Sequence, residues 1–183
     1  MPRSPRQELA GAIHHVYARG NRQQRIFLED SDRLTYLRML GVAVCQHAWR
    51  CLAYCLMENH VHLVIETPDP NLGVGMQRFH GAYARVFNDR HDCSGHLFQG
   101  RYGAKIIRTD RQLWATVRYL AFNPVAAGLC TSADRWRWGS CGGQVPPWLD
   151  HARLLQYLAA NGGDPLRRYA ELIATTINLP EGV

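Results

Sequence analysis

The run WRCLAYCLMENHVHLVIE, residues 49–66, decides the fold. Two apolar stretches, Trp49–Met57 and His60–Glu66, flank the polar pair Glu58-Asn59. A two-residue connection between β-forming runs reads as a strand hairpin. Thr67-Pro68-Asp69-Pro70 closes the second strand. Upstream, Ser31 or Asp32 can cap a helix reaching about His47, with Leu34, Leu37, Met39, Leu40 and Val44 at helical spacing. Before it lie a polar turn, Asn21–Gln24, and an alternating strand, Ile13–Arg19. Downstream, a second helix spans about Val74 to Arg90, with Met76, Phe79, Tyr83, Val86 and Phe87 on one side and Arg78, Arg85 and Arg90 on the other. A glycine-punctuated segment, Ser94–Gly103, leads into a strand, Ala104–Arg108. The order β-α-β-β-α-β predicts an α+β, ferredoxin-like (split βαβ) antiparallel sheet. Helices cover one face of such a sheet, and the other face is open to a ligand or a further layer.

Beyond this unit, Asp110 can cap a third helix, Arg111 to about Phe122, with a stop expected at Asn123-Pro124. Residues after Gly128 are Trp- and Gly-rich (RWRWGSCGG), and short helices are predicted over Leu149–Ala160 and Pro165–Thr175. The 183 residues suffice for one domain with a core. No apolar run reaches the roughly 18 residues that span a membrane, and no secretion signal follows Met1–Arg6, so a cytoplasmic protein is expected. Six cysteines at 45, 51, 55, 93, 130 and 141 contain no CxxC pair and read as reduced. The net charge is +6, carried by 20 arginines and a single lysine, Lys105. Such a surface attracts polyanions, although a soluble protein of arginine-rich composition has the same balance.

Three stretches could carry chemistry. His60 and His62 alternate onto one sheet face and could chelate a cation; two histidines sharing a solvated face is the competing reading. Cys51 and Cys55 with the same histidines make a weaker zinc pattern, lacking a loop knuckle. Tyr119 and Asn123 share one face of the third helix at i, i+4 spacing, yet a tyrosine there is ordinarily a core residue. Arg111 and Arg118 flank it. In Gly95–Tyr102 (GHLFQGRY) the glycines allow close backbone approach, Arg101 offers a planar charge, and Phe98 or Tyr102 a stacking ring; an ordinary loop closing the core edge fits equally.

Taken together, LMENHVHLV (56–64), GHLFQGRYGAK (95–105) and RYLAFNPVAAGL (118–129) resemble the HUH-type single-tyrosine transposases, particularly the REP-associated tyrosine transposase branch. The resemblance runs from about Ile13 to Trp138, so residues 1–138 read as the family domain and 139–183 as its C-terminal helical extension. It implies a divalent metal, Mg²⁺ or Mn²⁺, held by His60, His62 and Asn123, and Tyr119 as nucleophile. The implied partner is single-stranded DNA beside a hairpin or repeat, cleaved and transferred through a 5′-phosphotyrosine by a monomer or homodimer. Arg101, Tyr102, Phe98, Lys105 and Arg118 are the candidate DNA contacts, and Tyr17 is a further stacking ring. Glu58 stands where the family often has proline, Gly103 where its segment is often more basic, and Gly139-Ser140-Cys141 where it more usually ends W-S-S-Y. Competing readings are an HUH nicking nuclease and a domesticated nucleic-acid-binding module; the latter predicts exposed aromatics where this sheet carries histidines.

Overall fold

The structure is a computed structural model that describes residues 8–142, 145–159 and 164–174. The chain start and the predicted helix ends Ala160 and Thr175 lie outside them. Four strands, β1 (Ala12–Arg19), β2 (Arg50–Leu56), β3 (His60–Thr67) and β4 (Gly103–Ile107), form one antiparallel sheet in the order β2-β3-β1-β4. Helices α1 (Asp30–Gln46) and α2 (Leu72–His91) make the two split-βαβ crossovers. This is the predicted fold, and its topology sets β1 against the histidine strand β3.

Alternation sorts the strands between two cores. Val16, Val61, Leu63 and Ile65 face α1 and α2, in a core with Phe27, Tyr36, Phe79 and Tyr83. Val64, Leu52, Ala53 and Cys55 face the opposite layer, built by α3 (Asp110–Ala126), α4 (His151–Ala159) and α5 (Pro165–Ala174). The second sheet face is therefore roofed over β2 by these helices. Trp138 and Ser140 hydrogen-bond along β2: Leu56 N–H donates to Trp138 O, and Ser140 N–H to Tyr54 O. Gly139-Ser140-Cys141 thus covers a sheet edge, which would otherwise present unpaired backbone groups.

Two boundaries differ from the sequence reading. First, α1 begins at Asp30 with Glu29 as N-cap; Asp32 sits at N3 and accepts the Glu29 N–H, closing a reciprocal capping box. Second, α3 does not stop at Asn123-Pro124. Thr109, not Asp110, caps its start by accepting the Gln112 N–H. The helix runs on through Pro124 to Ala126, and Gly128, at φ +70°, ends it. Leu129 N–H donates to Pro124 O and Gly128 N–H to Val125 O, the two bonds of a Schellman stop. Pro124 removes one donor in the last turn, a loss the helix absorbs because the glycine supplies the stop.

Asp32 is buried and accepts from Arg90 at 2.7 Å, His91 at 3.0 Å and the backbone N–H groups of Leu28 and Glu29. Burial alone would raise its carboxyl; the bonds from His91, Glu29, Leu28 and Arg90 outweigh that and hold it below the usual carboxylate range. Its contribution is present above the unfolded value of about 3.9 and is lost as pH falls through the lower folded one. Asp32→Asn is expected to cost about 3 kcal/mol at pH 7. Melting curves should show the gap to wild type narrowing as pH falls below the unfolded value of about 3.9; a gap independent of pH would contradict the linkage.

Candidate functional site

His60 and His62 stand on β3 on the face opposite the α1–α2 core, because Val61 and Leu63 fill that core. Their rings lie 5.0 Å apart at 83°. Asn59 Nδ2 donates to Gln23 O at 3.0 Å, which fixes the amide and turns its Oδ1 to His60 Nδ1 at 2.7 Å. An oxygen acceptor there makes His60 Nδ1 the protonated nitrogen and leaves the lone pair on Nε2.

Helix α3 brings Tyr119 over this pair. The Tyr119 ring lies 5.3 Å from that of His62, edge to face, and is 40% exposed, so it borders solvent. Asn123, one turn on, hydrogen-bonds His60 through its side chain. Since α3 continues past it, Asn123 is an interior helix residue whose carbonyl accepts from Ala127 N–H. The helix-stop role considered for it from sequence belongs to Gly128.

One site residue was not anticipated. His15 Nε2 lies 3.0 Å from His62 Nδ1, and the His15 ring is 6.2 Å from that of Tyr119. Only alternation in Ile13–Arg19 together with the β1–β3 neighbourhood of the predicted topology could have flagged it, and a second histidine, His14, masks the signal. His14 faces the other way and bonds Thr67. Arg19 and Tyr17 share the His15 face by alternation. The Tyr17 ring crosses Gly103, where a Cβ would collide with it, so Gly103 is the space this ring needs.

Burial lowers the imidazole pKa values. His62 falls to about 3 through burial, then His60 and His15. His15 falls to about 4 through burial and Lys105. His60 is lowered by burial and Arg19, partly opposed by its bond to Asn123. At neutral pH all three are uncharged, which leaves ring lone pairs available. His62 Nε2 is buried and without a hydrogen-bond partner.

The other candidates divide. Lys105 pairs with His15 across β1–β4, on the site side. Arg101 is exposed on the 95–102 loop, which is tied to the end of β1 by Gln99 N–H to Arg19 O and Asn21 N–H to Leu97 O. Arg118 lies over the Phe122 ring. Phe98 and Tyr102 do not join the histidines: Tyr102 is buried in the α1–α2 core, and Phe98 stacks on His80 at 4.5 Å. Their rings take part in packing, in line with the alternative in which this loop closes the core edge and against their use as stacking rings for DNA. The zinc pattern also fails. A bulge between Cys51 and Ala53 shifts the alternation, sending Cys51 into one core and Cys55 into the other. Among the described residues no three His, Cys, Asp or Glu side chains converge as a metal group.

Comparison with known proteins bears on this site. The family model described as "Transposase IS200 like" matches residues 9–123, more than half the chain, from just before β1 to Asn123. A protein of Haemophilus influenzae (strain ATCC 51907 / DSM 11121 / KW20 / Rd) whose name carries the words "REP-associated tyrosine transposase" is 24% identical over 123 residues, covering 60% of this chain and 69% of that protein. A solved structure of a REP-associated tyrosine transposase bound to a REP hairpin superposes with a TM-score of 0.64 at 15% identity, covering 80% of this chain and 94% of that one. At that identity the likeness establishes the shared fold. No helix of the described residues is long and apolar enough to cross a membrane.

Proposed function

Because this chain belongs to the family of IS200-like transposases, we propose that it cleaves and rejoins single-stranded DNA through a covalent tyrosine link. Tyr119 is the nucleophile, and a divalent cation is held by His60, His62 and Asn123. The observation that carries this reading is the meeting of two elements distant in sequence: α3 sets Tyr119 5.3 Å from the His62 ring, at the border of solvent.

The residues present fit a cation. His62 has a buried nitrogen without a partner, His60 has its Nδ1 engaged by Asn59, and Asn123 brings a carboxamide, which carries a neutral oxygen donor, beside His60. Two imidazoles and a carboxamide favour Mn²⁺ over Mg²⁺ by ligand softness, while abundance favours Mg²⁺. A cation bound here would neutralise a non-bridging phosphate oxygen and steady the departing 3′ oxygen.

The remaining chemistry belongs to the chain. Tyr119 Oη forms a bond to phosphorus as the bond from phosphorus to the 3′ oxygen breaks. The phenolic proton leaves, and the departing oxygen takes up a proton to become a 3′-OH. The 5′-phosphotyrosine conserves the phosphodiester bond energy, so attack by another 3′-OH rejoins DNA and restores Tyr119 without ATP. Lys105 and Arg19 on the site face, with Arg101 on the adjoining loop, suit phosphate contacts. Tyr17, 37% exposed, offers a ring for base stacking. By analogy with the hairpin-bound relative, the substrate is a single strand carrying a hairpin-forming repeat.

The test is a denaturing gel with end-labelled oligonucleotides carrying inverted repeats from the DNA flanking the gene. With Mn²⁺ or Mg²⁺, label should migrate with the 20.8 kDa chain, and chelator should abolish that band. Tight binding without any covalent band under either metal would favour a non-catalytic binding module.

A further inference from the structure

We propose that His15 is a positioning residue for His62: it accepts a hydrogen from His62 Nδ1 and so holds the His62 lone pair on Nε2, turned into the site. The proposal rests on the reading of His62 as a metal ligand.

A neutral imidazole has one N–H and one lone pair. The 3.0 Å contact between His15 Nε2 and His62 Nδ1 therefore needs one ring to donate and the other to accept. If His15 donated, the N–H of His62 would sit on Nε2. That atom is buried and has no partner, so it would be a stranded donor, and His62 would keep no free lone pair for a cation. If His62 donates from Nδ1, Nε2 is an unfilled acceptor, which is what a cation requires. Histidines that bind metals generally donate their other N–H to a neighbouring acceptor, which fixes tautomer and ring direction.

The neighbouring ligand is arranged in the same sense. Asn59 Oδ1 receives His60 Nδ1–H, and Asn59 is itself locked by Gln23 O. Each histidine of the pair thus has its Nδ1 engaged by a residue outside the pair: His60 by the residue before it, His62 by a residue from the adjacent strand. In register His15 stands opposite Val64 and Tyr17 opposite His62, so the His15–His62 contact is a diagonal one. Only a long side chain with an acceptor at its tip reaches across that diagonal. A buried and a half-buried histidine that merely satisfy one another are the plain alternative, and they would have no bearing on cation affinity.

The experiment measures Mn²⁺ binding without DNA, by electron paramagnetic resonance of free Mn²⁺, for wild type, His15→Leu, His15→Gln and His62→Ala. Nitrogen-15 spectra of the metal-free protein report the imidazole tautomers. The expected results are Nδ1–H for His62 in wild type, an Mn²⁺ dissociation constant raised about 10- to 100-fold in His15→Leu, and recovery of most of that loss in His15→Gln, whose side-chain oxygen can accept the same hydrogen. An Nε2–H tautomer for His62 in wild type, or Mn²⁺ binding equal to wild type in His15→Leu, would overturn the proposal. The wild-type spectrum and the Gln variant decide the matter even if the Leu variant does not fold. If His62→Ala binds Mn²⁺ as wild type does, or wild type binds none, the metal reading itself fails and takes this proposal with it.

Discussion

Tyr119→Phe is expected to abolish the covalent protein–DNA adduct while leaving fold and DNA affinity in place. The substitution deletes one oxygen and keeps the ring that packs edge-on against His62. Tyr119 is 40% exposed, so no buried hydroxyl pocket is emptied and the melting temperature should hold. Deleting a catalytic nucleophile in a protease costs on the order of 10⁶ in rate, and a loss of that order would erase the band on a denaturing gel. Among the described residues, Tyr17 is the one other tyrosine ring against the site histidines, 6.4 Å from His62. Tyr17→Phe therefore serves as the control and should still form adduct. An adduct at the wild-type rate in Tyr119→Phe would remove the role assigned to Tyr119. Its loss in Tyr17→Phe alone would transfer the role to Tyr17.

The second large effect concerns Asn123. Asn123→Ala should raise the metal concentration needed for half-maximal cleavage by at least about tenfold, since even an indirect supporting residue of a metal site is worth that much. Asn123→Asp should keep or tighten metal dependence, because a carboxylate is a harder and charged oxygen donor at the same place. Stability separates this from a structural role. Asn123 lies inside α3, whose stop is made by Gly128, and alanine is a better helix former than asparagine. Asn123→Ala should therefore melt within a degree or two of wild type. A melting point lower by several degrees with an unchanged metal titration would show that Asn123 serves the helix and not a cation.

These variants probe a site that the C-terminal helical layer holds in place. Glu66, at the far end of β3, takes both guanidinium bonds of Arg153, at 3.0 and 3.1 Å, and the Tyr157 hydroxyl at 3.1 Å. This ties α4 to the strand that carries the histidines. Helix α5 closes on α3 through Tyr169, Leu172 and Ile173 in the same core as Leu113, Val117 and Leu120. The C-terminal helices therefore brace the tyrosine helix against the sheet.

The β-α-β-β-α-β order, the split-βαβ sheet and the facing of His60 with His62 were legible in the chain, because periods of 2 and 3.6 residues are local properties that burial then enforces. The i, i+4 relation of Tyr119 and Asn123 was legible for the same reason. Tertiary structure alone decided what depends on residues far apart in sequence. His15 reaches His62 because β1 lies beside β3 and the sheet diagonal happens to match an imidazole. Cys51 and Cys55, four apart in one strand, separate into different cores because a bulge in β2 costs the strand one step of alternation. Tyr102 enters the core and Phe98 packs, partly buried, on His80 of α2, because rings fill such contacts in preference to water. The α3 stop moved from Asn123 to Gly128, since a proline in the last turn forfeits one hydrogen bond while a left-handed glycine completes two. That shift carries Asn123 into the helix and sets its side chain on His60.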